Sequence, residues 1–184
     1  MIVSRRFLWL AGLFVAFTLP VQAGAANEND RMKDGMLMIG KAEVMSLQDV
    51  ETQMQTSIFV GADKESIEKA VPGGKAPSSI NVFLVKLNGR HILIDTGLGM
   101  ADGPRKSKLP EAMAAAGVKP EQINAILITH MHGDHIGGLA SEGKRAFPNA
   151  TVYVCKAEYD YWMSDEAMAA QPAKKESFEM ARYK

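Results

Sequence analysis

Cysteine is almost absent from this 184-residue chain, in which Cys155 stands alone. A single thiol closes no intrachain disulfide, even in an oxidising compartment, and cannot supply the thiolates of a closed structural zinc site. Its place in the run Val152-Tyr153-Val154-Cys155 reads as a buried structural thiol rather than a nucleophile. No charge of one sign dominates, since 21 basic side chains meet 21 acidic ones. That balance removes the basic field on which nucleic-acid binding depends, and it leaves the charge of a small-molecule substrate open. A membrane-length apolar run is also missing. The mostly apolar stretch 7–19 has 13 residues, whereas crossing a bilayer takes roughly 17 to 25. Histidine is scarce too, with four in the chain, yet three of them fall within six consecutive positions.

The first 23 residues are best set apart from the fold. Arg5 and Arg6, then the apolar stretch, then small residues around Val21-Gln22-Ala23 follow the order of a secretory signal peptide. Ser4-Arg5-Arg6-Phe7-Leu8 loosely resembles a twin-arginine export signal. Cleavage after Ala23 removes two arginines and no acids, leaving 19 basic and 21 acidic side chains, a net charge of about −2. The expectation is a secreted protein, periplasmic in a Gram-negative bacterium, with no stable membrane span after cleavage. Residues 24–35 are small and polar and read as a flexible leader, and 36–184 as the domain.

Within the domain, residues 36–39 and 41–47 are short strand candidates, and the pattern thins between 48 and 78. There, 56–60 reads as extended and 63–70 as two helical turns, with surface loops around them. Residues 80–87 and 91–95 are apolar and rich in β-branched side chains, and Asn88-Gly89 between them predicts a tight hairpin turn. The second of these strands runs into Asp95-Thr96-Gly97-Leu98-Gly99. A helix is predicted over 108–117, where Leu109, Met113 and Ala116 recur at helical spacing before Gly117. A strand follows over 123–129, whose continuous core Ala125-Ile126-Leu127-Ile128 predicts burial on both faces. Then come a helix beginning over 136–140, a strand over 151–155 and a short helix over 157–163. Strands alternating with helices predict an α/β fold with a mixed sheet.

The histidines lie where the 123–129 strand ends, in Thr129-His130-Met131-His132-Gly133-Asp134-His135. On an extended segment His130 and His132 point the same way, so both imidazoles can approach one ion. Gly133 lets the chain turn and leaves Asp134 and His135 to face a neighbouring point. Four candidate ligands so close together are too many for one small ion, which makes two adjacent sites the economical reading. Asp95 can accept backbone or imidazole hydrogen bonds. No Ser-His-Asp or Cys-His arrangement competes with this loop.

The segment from Thr129 through Gly138, preceded by Ile94-Asp95-Thr96-Gly97, resembles the metallo-β-lactamase-fold hydrolase superfamily. The runs Asn81-Val82-Phe83-Leu84-Val85, Ala115-Ala116-Gly117-Val118 and Phe147-Pro148-Asn149-Ala150-Thr151 through Tyr161-Trp162 look like its secreted methyl parathion hydrolase and lactonase subgroup. The resemblance implies an αβ/βα sandwich of two similar halves, of which this chain supplies mainly the N-terminal one. It implies that His130 and His132 bind a first metal and Asp134 and His135 a second. Asp95 is then a supporting residue that orients the site, in keeping with the carboxylates that usually hold metal-bound imidazoles.

Zinc is the first choice for the two divalent ions, with iron, manganese or cobalt as alternatives. The family's remaining ligands lie downstream of this loop, and the fourth histidine, His91, is four residues from Asp95, about 13 Å along a strand. It is therefore expected to lie too far away to complete the site. These points imply a chain that stops before its second half, with an apolar sheet face left to a missing segment, a domain swap or a homodimer partner. The implied activity is attack by a metal-activated hydroxide on an ester, lactone or phosphotriester, with Asp134 as the catalytic ligand. A thioester hydrolase, a sulfur dioxygenase and a metal-binding protein without turnover are the alternatives.

Overall fold

The computed structural model describes residues 36–99 and 105–183. The signal peptide and leader expected over 1–35 lie outside them. Among the described residues no helix is long and apolar enough to cross a membrane.

The described residues form eight strands and six α-helices in the order β1 (Met36–Ile39), β2 (Ala42–Gln55), α1 (Lys64–Ala70), β3 (Lys75–Leu87), β4 (Arg90–Ile94), α2 (Leu109–Ala115), β5 (Ile123–Ile128), α3 (Gly133–Ile136), β6 (Ala140–Ser141), β7 (Lys144–Arg145), β8 (Thr151–Val154), α4 (Lys156–Met163), α5 (Asp165–Ala170) and α6 (Lys175–Tyr183). Six strands form one mixed sheet in the order β1-β2-β3-β4-β5-β8. The first four pair antiparallel, and β4-β5 and β5-β8 pair parallel. The parallel pairs need crossovers, which α2 and the α3 region supply. The hairpin between β3 and β4 turns at Asn88 and Gly89, both with positive φ (50° and 75°), as the type I′ turn requires.

The sheet's two faces differ in cover. Val82, Leu84, Leu93 and Ile126 share one face and are essentially sealed by α2, α4 and α6, which contribute Leu109, Met113, Trp162 and Phe178 to the core. Burial of each such aliphatic side chain contributes roughly 1.5–3 kcal/mol. On the other face Phe83 pairs with Ile94, Ile94 with Leu127 and Leu127 with Tyr153. Phe83, Leu127 and Tyr153 are 41%, 42% and 54% exposed. The predicted burial of β5 on both faces is thus corrected, because no described element covers the second face.

Three further expectations change. The stretch 48–55, expected as loop, is the outer half of β2, paired with Lys75 to Asn81 of β3. Its side chains are mostly polar because much of this arm faces solvent. Residues 56–58 form a 3₁₀ turn rather than extended chain, closed by the Phe59 N–H donating to the Thr56 carbonyl. Cys155 is exposed, not buried. It follows the last residue of the edge strand β8 and caps α4, where the chain leaves the sheet.

Candidate metal centre

The candidate site lies at the carboxyl ends of β4 and β5, where α/β sheets place their ligand sites. There the segment 95–99 packs against the segment 129–138, backbone to backbone. Thr96 donates from both its N–H (2.7 Å) and its Oγ1 (2.9 Å) to the His135 carbonyl. A Cβ on Gly99 would collide with the Gly137 carbonyl group. Gly99 also has φ +65°, so glycine is required there on two counts.

Asp95 ties the two segments together. Its Oδ1 accepts the Thr129 N–H at 2.8 Å, and its Oδ2 accepts Thr129 Oγ1 at 2.8 Å and His135 Nδ1 at 2.7 Å. The residue sits at φ +63°, a left-handed conformation that costs an L-residue about 1–2 kcal/mol. The three accepted bonds hold it there. With Nδ1 engaged, His135 presents Nε2, 3.6 Å from Asp134 Oδ2.

The other histidines are arranged differently. His132 is extended (φ −72°, ψ 154°) before the chain turns into α3, which begins at Gly133, earlier than the helix predicted from residue 136. His130 Nε2 and His132 Nδ1 lie 3.1 Å apart, near the separation of about 3.3 Å that two nitrogens take on one tetrahedral ion. The ring centroids of His130 and His135 are 3.9 Å apart. Partial burial, followed by the neighbouring His135 and His132, holds the His130 imidazole below the usual histidine range.

The chemistry of the donor set, three imidazoles and a carboxylate, suits zinc, iron, manganese or cobalt. Geometrically the donors come as pairs. Among the described residues no three His, Cys, Asp or Glu side chains form a group that could hold an ion together. His91 stands at the opposite end of β4, its Nδ1 3.3 Å from the Gln122 carbonyl oxygen, and it takes no part.

Two acidic residues that the sequence reading passed over support the site. Asp49 is fully buried beside a β2 bulge and accepts from the N–H groups of Leu98 (2.7 Å) and Leu109 (3.2 Å) and from Ser107 Oγ. It thereby moors the 95–99 segment to β2 and to the start of α2. An aspartate two residues after Leu47, in phase with the buried side of a strand, was the available signal. Glu158 accepts the Met131 N–H and Trp162 Nε1, each at 3.0 Å. The Met131 bond, above all, holds its carboxyl below the usual carboxylate range. Its signal was the four-residue spacing to Trp162.

The family model of the metallo-beta-lactamase superfamily matches residues 76–179. The chain belongs to that superfamily. Its α/β architecture is the metallo-β-lactamase fold type. AbOPH, described as a hydrolase of the beta-lactamase superfamily, superposes with a TM-score of 0.73 at 30% identity, over 80% of this chain and 55% of its own. AidC, a dizinc quorum-quenching lactonase solved with a product bound, gives 0.64 at 25% identity, over 80% and 58%. The anti-Pycsar protein Apyc1 of Saccharibacillus brassicae is 36% identical over 63 residues, which are 34% of this chain and 22% of that protein. This superfamily member therefore spans little more than half the length of the solved relatives, and its match to Apyc1 takes up less than a quarter of that protein.

Proposed function

We propose that this chain carries the metal-binding loop of an exported, dinuclear metal-dependent hydrolase acting on an ester, lactone or phosphotriester. One observation carries the reading: two donor pairs stand side by side at the carboxyl ends of β4 and β5, one of them tethered through His135 Nδ1 to Asp95. The likeness to a dizinc lactonase and to a superfamily hydrolase supports the substrate class.

In this reading His130 with His132, and Asp134 with His135, are the ligands. A bound divalent ion would supply Lewis acidity and lower the pKa of a water held on it. The chain's own residues do the positioning. Asp95 fixes the His135 tautomer by accepting from Nδ1, which leaves the Nε2 lone pair free to bind. Asp134 holds a carboxylate oxygen beside that nitrogen, where it can orient a nucleophile and accept a proton. Residues 1–23 act as the export signal, with the periplasm as destination.

Metal analysis and a hydrolysis screen on the longest form of the protein made in its native host test this reading. Two ions per chain with turnover of a lactone or phosphotriester support it. A single iron with oxidation of a sulfur substrate would sink it. An uncleaved N-terminus in a fractionated cell would remove the export part alone.

A further inference from the structure

The His130-Met131-His132 segment is steadied from outside the ligand loop. Glu158 lies in the first turn of α4, 27 positions beyond Met131, and one oxygen, Oε2, receives both the Met131 N–H and the Trp162 indole N–H at 3.0 Å. That Met131 N–H belongs to the residue between the two histidines. The indole in turn meets the His132 ring edge-on, with centroids 5.6 Å apart and planes at 80°. Trp162 is itself fixed, 3% exposed and packed on Phe178 at 4.7 Å. One carboxylate oxygen therefore governs both the main chain between the imidazoles and the aromatic wall beside one of them. An acid in a first helical turn is ordinarily favoured by the helix dipole alone. A dipole needs neither a long-range backbone partner nor a shared indole, so it does not account for this arrangement.

We propose that Glu158 is a positioning residue for the His130–His132 pair, setting through the Met131 main chain and the Trp162 indole how the two imidazoles face one another, and so their affinity for a divalent cation. Its hydrogen bonds go to Met131 and Trp162 and to neither imidazole. The affinity part rests on the reading of His130 and His132 as ligands, whereas the positioning part does not.

The test uses the full chain with Glu158→Ala, Glu158→Gln and, as a control on the exposed side of α4, Asp160→Asn. In the metal-free protein, hydrogen exchange at the Met131 amide is expected to quicken at least about tenfold in Glu158→Ala, and the nuclear Overhauser contacts between the His132 and Trp162 rings to disappear. Cobalt(II) affinity is expected to fall about tenfold, the loss typical of groups that orient metal ligands, with a shift of the visible cobalt bands. Glu158→Gln keeps an acceptor oxygen and should restore most of the amide protection, while Asp160→Asn should match the wild type.

A folded Glu158→Ala chain with wild-type Met131 exchange overturns the positioning role. Met131 exchange that quickens in Glu158→Ala, when even the wild-type chain binds no cobalt, supports that role and removes the ligand reading instead. Unchanged cobalt affinity beside altered exchange overturns the affinity part. Should the alanine chain fail to fold, Glu158→Met keeps the side-chain length without an acceptor and carries the same comparison.

Discussion

The two ends of the histidine loop, Thr129 to His135, are built on different plans. At the Asp134–His135 end, the imidazole is gripped by a buried carboxylate and its own carbonyl is gripped twice by Thr96. At the His130–His132 end, the imidazoles lean on each other, and their anchor is a helix acid acting through the backbone. His135 is thus held directly by the carboxylate that joins β4 to β5, whereas His130 reaches that framework one step removed, its Nδ1 3.2 Å from the Thr129 Oγ1 that donates to Asp95. A loop of seven residues can combine a rigid half with an adjustable one.

The largest effect should come from removing the grip at the framework end. Asp95→Ala strips the acceptor from three donors and leaves alanine at a left-handed φ. A loss of about 3–5 kcal/mol is expected in chemical denaturation. A loss under about 1 kcal/mol would break the contrast. Next comes Gly99→Ala, which drives a methyl into the Gly137 carbonyl group. It should cost about 2–3 kcal/mol, measured the same way, and it should release His135 from its fixed setting in NMR spectra, moving the His132 resonances less than those of His135.

Asp49→Ala acts one step further back, on the mooring of the 95–99 segment, and should cost about 2 kcal/mol. Here too the His135 resonances should respond more than those of His132; equal responses would mean that the two ends are mechanically coupled.

The smallest effect concerns protons. Because the folded chain holds the His130 imidazole below its ordinary range, the unfolded chain binds the proton more readily. The contribution of neutral His130 is therefore fully present above the ordinary histidine pKa of about 6.5. It is lost as pH falls through the lower folded value. A titration of the His130 ring protons checks this, and a midpoint at or above about 6.5 would contradict it.

The sequence made these features legible to different degrees. The hairpin could be read because Asn-Gly is a local backbone instruction, and α2 because Leu109, Met113 and Gly117 carry its period and its stop. The histidine loop stood out because three of the chain's four histidines and an aspartate fall within six positions. The outer half of β2 was not legible, since Val50 and Met54, four apart among polar residues, leave too little apolar alternation to read as a strand. Asp49 and Glu158 were missed for a related reason: their importance lies in partners 49 and 27 positions away, Leu98 N–H and Met131 N–H. Cys155 was misjudged because an apolar neighbourhood in sequence says nothing about which strand forms the sheet's edge.

The left-handed backbone at Asp95 narrows the replacements that position can accept. Asparagine tolerates that φ but brings no negative charge for His135 and turns one acceptor into a donor. Glutamate keeps the charge but lacks the short side chain that makes the conformation tolerable, and it would set the carboxylate one methylene too far out. Glycine satisfies the main chain and nothing else. A table of chemical similarity would rank the glutamate exchange as mild, whereas the conformation makes aspartate the one residue here that meets the steric and the electrostatic requirement together.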